Sequence, residues 1–266
     1  MTINSITRRV RVSDSVKVGV LCIAAAAMAA CSTTDAPGPL EPTGPTGRVR
    51  LVNLITDATR GRVNASLEGI VFTVDLQYAQ AGPANLPAPA TAPYAAVYTG
   101  SRSFVLKRTA DTTATVATLG FTVTDGQDRS VYAIGGAGGS AVTGFVTTDD
   151  NPAAAATETR LRIVNMSPTA GAVDVFVTAA AADLSTATPR ASGLAYQGAS
   201  AYFTVAPGTY QVRAVPAGTA PANRAGAVTI TLASTGALAG GIGRTIVLAD
   251  NSTGGAPLRA FVINDR

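Results

Sequence analysis

Few side chains in this 266-residue sequence are equipped for chemistry. Histidine is absent, which removes the usual general base, the commonest zinc ligand and the side chain that titrates near neutrality. Lysine occurs only at Lys17 and Lys107, and no Ser-x-x-Lys spacing surrounds Lys107, so a hydroxyl nucleophile lacks a neighbouring base. Lys107 reads as a solvated strand lysine. Asp125 and Asp128 flank a turn and Asp149-Asp150 close a strand; such carboxylates suit calcium, but their spacing matches no calcium loop, and aspartates in turns usually accept backbone N–H bonds. Gly135-Gly136-Ala137-Gly138-Gly139-Ser140 lacks both phosphate-cradling spacings and predicts a hairpin connection, as does Gly240-Gly241-Ile242-Gly243. The expectation is no catalytic residue, no cofactor and no metal.

The chemistry that remains belongs to a cysteine. A basic stretch ending at Lys17 is followed by a short apolar, alanine-rich run to Ala30, too short for a membrane-spanning helix, which needs about 20 residues, and typical of a signal h-region. Met28-Ala29-Ala30-Cys31 resembles the bacterial lipobox. Residues 1–30 therefore read as a lipoprotein signal cleaved between Ala30 and Cys31, with Cys31 carrying the lipid that attaches the protein to a membrane. The other cysteine, Cys22, lies inside the signal, so no disulfide framework is expected. Residues 31–46, rich in Pro, Thr and Gly, read as a tether that spans up to about 45 Å when extended. Ser32 occupies the place where an aspartate would resemble an inner-membrane retention signal, which points to the outer membrane.

Composition narrows the partners further. Four of the 20 basic residues and one acid lie in the first thirty positions, which leaves the body nearly neutral, with no basic stripe for nucleic acid. Charged residues make up 14% and aromatics 5% of the chain, with no Trp, so the core must be built from small apolar side chains.

The elements that position these residues come in two copies. Arg48-Val49-Arg50-Leu51-Val52-Asn53 returns as Arg160-Leu161-Arg162-Ile163-Val164-Asn165, a spacing of tandem domains rather than of solenoid repeats. The boundaries fall at 47–150 for the first copy and 159–266 for the second, with a linker at 151–158. Val63, Ala65 and Leu67 alternate with Asn64, Ser66 and Glu68, and Val173, Val175 and Val177 with Asp174 and Phe176, the period of strands with one buried face. Tyr98–Lys107 and Phe203–Arg213 are matching blocks, the latter with a Pro207-Gly208 turn expected to make a hairpin. Arg48, Arg50, Arg160 and Arg162 share a face within each copy. They could dock an anionic polymer, but are expected to be edge-strand charges that discourage aggregation. The fold class expected is all-β: two tandem immunoglobulin-like β-sandwiches.

The Arg-x-Arg-[Leu/Ile]-Val-Asn strand, Ser167-Pro168, the Ala172–Val177 strand, Pro207-Gly208-Thr209-Tyr210 and the closing Pro257–Asp265 strand resemble the domain of unknown function 4397, a family of exported and lipid-anchored bacterial proteins. The second copy fits well; the first has Asn64 in place of the aspartate and a Pro- and Ala-rich insertion around Pro83 to Pro93. The resemblance implies export and a sandwich without implying an activity. The function expected is a lipid-anchored envelope protein with a non-enzymatic binding, adhesion or structural role, its partners the membrane and an envelope polymer or protein. The competing expectation is a carboxylate-dependent hydrolase acting on envelope polysaccharide.

Overall fold

The computed structural model describes residues 44–83 and 93–265. The signal, Cys31 and nearly all of the tether lie outside these residues, as does most of the Pro- and Ala-rich insertion. Residues 44–266 form one compact unit, all-β apart from two three-residue 3-10 turns among the described residues.

Four sheets carry the chain. The first combines β1 (Thr46–Ile55), β4 (Ala81–Gly82), β5 (Ala95–Tyr98), β8 (Asp128–Gly135) and β9 (Val142–Asp149). It faces a sheet of β2 (Val63–Leu67), β3 (Ile70–Leu76), β6 (Gly100–Arg108) and β7 (Asp111–Val123), ordered β3-β2-β6-β7. The second half repeats this plan. One sheet holds β10 (Thr159–Asn165), β13 (Gly198–Ala199), β14 (Phe203–Val205), β17 (Gly243–Ala249) and β18 (Arg259–Asn264). The other is ordered β12 (Ala191–Leu194), β11 (Val173–Thr178), β15 (Gln211–Pro216) and β16 (Ile230–Leu232). In each half the opening strand runs parallel to a late one, β1 beside β8 and β10 beside β17. Each opening strand is also edged on its other side by two short antiparallel pieces. The insertion of the first half falls between those pieces, β4 and β5.

β1 and β10 therefore lie inside their sheets, and the expectation that their arginines mark sheet edges is overturned. From Arg50 to Ile55 every residue is buried, because both faces are covered, the arrangement that erases hydrophilic alternation. Val49, Leu51 and Ile55 turn into the first sandwich, against Phe104, Leu106 and Val131. Leu161 and Ile163 do the same in the second, against Val175, Val212 and Ile246. The opposite faces of the two inner sheets meet one another: Val52, Leu54, Tyr132 and Ile134 pack with Val164, Met166, Val247, Ala249 and Ile263. The body is four layers, with the two sandwiches joined through their inner sheets.

Two local expectations also change. Pro207-Gly208 joins β14 to β15, which belong to different sheets, so it carries the chain across the sandwich and is not a hairpin. Gly240-Gly241 precedes β17 and receives the linker: the Gly241 amide donates to the carbonyls of Ala155 and Glu158. A Cβ on Gly240 would lie 1.7 Å from the Ala156 carbonyl oxygen, so the linker can pack there only against glycine. Gly135–Ser140 does connect the antiparallel pair β8 and β9, as expected.

Candidate functional site

The feature with the most concentrated chemistry lies between the inner sheets. Strand alternation sends Arg48 and Arg50 of β1, Ser130 of β8, and Thr147 and Asp149 of β9 toward the other half. Arg160 and Arg162 of β10, Thr245 of β17 and Asp265, just beyond β18, face them. Arg50 and Arg162 are 0% and 2% exposed, and their acids are exchanged between the halves. Arg50 Nη2 lies 2.7 Å from Asp265 Oδ1 and 3.6 Å from Asp149 Oδ2, while Arg162 Nη1 lies 2.7 Å from Asp149 Oδ1. Each half thus neutralises the other's arginine.

Hydrogen bonds complete the cage. Arg50 Nε donates to Ser130 Oγ at 2.6 Å and its Nη1 to the Asn264 carbonyl at 2.7 Å. Arg162 donates to the Thr148 carbonyl and to Thr245 Oγ1, both at 3.2 Å. The Asp149 carboxylate accepts from Ser130 Oγ, from Thr147 Oγ1 at 2.7 Å and from the Tyr94 hydroxyl at 2.7 Å. The Asp265 carboxylate accepts from Thr245 Oγ1 at 2.8 and 2.9 Å. Tyr94 and Tyr202 occupy corresponding places: the Arg50 guanidinium lies 4.7 Å from the Tyr94 ring centre and that of Arg162 lies 4.9 Å from the Tyr202 ring centre.

Burial opposes ionisation of Asp149, but Arg162 and Arg50, with the hydroxyls of Ser130 and Thr147, overcome it and hold the carboxyl below its usual range. Burial likewise opposes charge on Arg50, yet the nearby Asp265 carboxylate is among the groups that raise its pKa above the ordinary value. The arrangement is a charge lock of buried guanidiniums held against buried carboxylates.

Around this centre the remaining acids take partners as well. Arg48 chelates Asp128 at 2.7 and 2.6 Å, Arg160 reaches Asp150 at 3.1 Å, and Asp125 accepts the Thr46 amide. Only Asp125 follows the backbone-capping expectation; the others are held by the arginines themselves. Among the described residues no group of three or more acids or cysteines could hold a metal ion. Lys107 is exposed on β6. Among the described residues, depressions open at the ends of the seam: one of about 450 Å³ beside Arg48, Asp128 and Asn151, and, at the far end, others of about 130 and 320 Å³ that both include Tyr78.

The sequence reading missed the partnership between the arginines and the strand-ending acids. Its signal was present in the paired repeats themselves, since each copy opens on Arg-x-Arg and closes on aspartate. Tyr94, Tyr202, Ser130 and Thr245 carry no such mark.

Residues 47–176 match the family described as Domain of unknown function (DUF4397). The match covers the first sandwich, all of β10 and most of β11. No match to a curated protein was found. Among solved structures, the chain is similar to one from work on α-glucan recognition by family 41 carbohydrate-binding modules of streptococcal virulence factors. Identity is 10% and the TM-score 0.23, with 82% of this chain and 97% of that one covered. A leucine-rich repeat protein from Bacteroides thetaiotaomicron gives 11% and 0.17, over 78% and 26% of the respective chains. At these TM-scores neither likeness carries an argument about function.

Proposed function

We propose that the protein is a lipid-anchored component of the bacterial envelope, most simply of the outer membrane, whose body serves binding or architecture rather than catalysis. The second half, residues 159–266, is on this reading a further copy of the family domain. The observation that carries the proposal is the buried exchange of Arg50, Arg162, Asp149 and Asp265, which commits the best-placed charged groups to holding two sandwiches in one orientation. A rigid double module behind a Pro-rich spacer and a lipidated Cys31 suits presentation of a surface away from the bilayer. The hydrolase alternative needs a pair of carboxylates facing one another in an open cleft; the acids beside the depression at Arg48 and Asn151 are instead tied to arginines.

The anchor is tested by Cys31→Ser, which should abolish palmitate incorporation and shift the protein from the membrane to the soluble fraction. Labelling that survives the change sinks the assignment. The binding role is tested by whether the immobilised chain retains material from isolated envelope.

A further inference from the structure

The two depressions at the far end of the seam adjoin at Tyr78. Together they run across the junction between the halves. The smaller has an apolar wall, with Leu54, Met166 and Pro168, and an aromatic one, with Tyr196, which is 36% exposed. The larger is bordered by Arg62 of the first half and by Arg259 and Thr253 of the second. The Tyr78 hydroxyl donates to the Asp250 carbonyl, so the shared floor is itself a bond between the halves and exists only while they are joined.

The cations favour an anion in the larger depression, while Asp250, which lines the smaller one, has its carboxylate taken up by the Ser167 and Thr169 hydroxyls and the Gly255 amide. Asp57 also lines the larger depression, but its carboxylate accepts from Thr59 Oγ1 at 2.8 Å, from Arg60 Nε at 2.8 Å and from two backbone amides. Arg62 pairs with Asp75 at 2.6 Å in an exposed bridge, a type that contributes little and yields readily to competing anions. Arg259 is exposed and makes no ion pair among the described residues. The walls offer side chains rather than a free strand edge, because their loops are closed on themselves: Gly61 to Asp57, Gln80 to Gln77 and Gly254 to Asn251. An extended peptide would have no ladder to join.

We infer that this composite groove binds a carboxylate-bearing polysaccharide, with a sugar ring against Tyr196 or Tyr78 and its carboxylates paired with Arg259 and Arg62. This deepens the binding role proposed above and rests on it. Guanidinium recognises carboxylate through two parallel hydrogen bonds, and a tyrosine face supplies apolar contact while leaving its hydroxyl to the polar surround.

The test is titration of the full chain, held in detergent micelles, with polygalacturonate and separately with dextran, a neutral polymer. Binding to polygalacturonate should weaken as salt is raised, and Arg259→Gln and Tyr196→Ala should each weaken it by at least roughly tenfold. Both side chains are outside the cores, so melting temperature should hold. Equal affinity for dextran, binding unaffected by Arg259→Gln, or tighter binding of a peptide with a free terminal carboxylate would each overturn the inference. Failure to bind polygalacturonate overturns it as well; if the chain still retains isolated envelope material, the broader binding role stands and only the groove is misassigned.

Discussion

The two halves agree where they touch each other and diverge where they do not. On the inner sheets, Arg50 corresponds to Arg162, Asn53 to Asn165, Tyr94 to Tyr202, Asp149 to Asp265, and Ser130 to Thr245 in the parallel register of β1 with β8 and of β10 with β17. On the outer sheets, β6 and β7 of the first half have 9 and 13 residues, whereas β15 and β16 of the second have 6 and 3. The outer cores differ in kind as well. Phe104 lies 4.7 Å from Phe72 and 4.9 Å from Phe121 by ring centres in the first half, while Val212, Ala214 and Ile230 fill the second. Shared residues therefore report the mutual contact of the copies, and differences between them report faces free to vary.

The most severe way to break that contact is Asp149→Ala. It leaves Arg162 without its near carboxylate and removes the second carboxylate near Arg50, both guanidiniums staying buried. The expected loss is about 3–5 kcal/mol, read by chemical denaturation. The same carboxyl predicts the acid limit. Its pKa is lowered in the folded protein, so its stabilisation is complete above the unfolded carboxyl's value of about 3.9 and disappears as pH falls through the folded value. Wild type and Asp149→Ala should converge in stability only in that acid range. A constant difference down to pH 2 would mean the ionised form is not what the seam requires.

A smaller effect sharpens the correspondence. Asn53 Nδ2 donates to the carbonyls of Gly61 and Leu76, and its Oδ1 accepts the Ile55 amide. Asn165 donates to Gly171 and Leu194 and accepts from Ser167. Each ties the end of an inner strand to the turn and sheet beyond it. Alanine at either position should cost about 1–3 kcal/mol, the penalty of leaving buried partners unsatisfied. The two losses should be alike. A large inequality would mean that the copies resemble one another in sequence more than in energetics.

How much of this the sequence disclosed follows from the range of each interaction. Alternation at Val63, Ala65 and Leu67 showed the strand because its covering sheet is its own partner. Phe176 alternates as though exposed, yet it is 0% exposed beneath Leu184 and Val215, with the Arg224 guanidinium 5.0 Å from its ring centre. Apart from Val215 of the neighbouring strand, its cover comes from connecting segments, at Leu184, Ala187, Ala227 and Val228, with no period to detect. Arg50 and Arg162 misled for a related reason: charge at alternate strand positions suggests solvent, and the surface that buries each belongs to the other copy. The groove at Tyr78, Tyr196 and Arg259 is assembled from loops far apart in sequence and has no motif at all.

The correspondence fails at several seam positions, Thr147 standing where the second half has Ile263, and the failure at Tyr132 makes the finest test. Two residues beyond Ser130 stands Tyr132; two beyond Thr245 stands Val247, each opposite the equivalent valine of its opening strand. Tyr132 is 0% exposed, burial raises the pKa of its phenol, and its hydroxyl has no hydrogen-bond partner among the described residues. Its ring packs toward Phe145, with centres 6.3 Å apart. Phenylalanine would keep the ring and discard a polar atom whose burial is uncompensated, so Tyr132→Phe should be neutral or stabilise the fold by up to about 1 kcal/mol. Denaturation midpoints decide it. A loss of similar size would show that the hydroxyl holds a buried water, with the unpartnered Arg162 Nε as the natural second ligand, and that the first half carries a polar element of the seam which valine in the second does not reproduce.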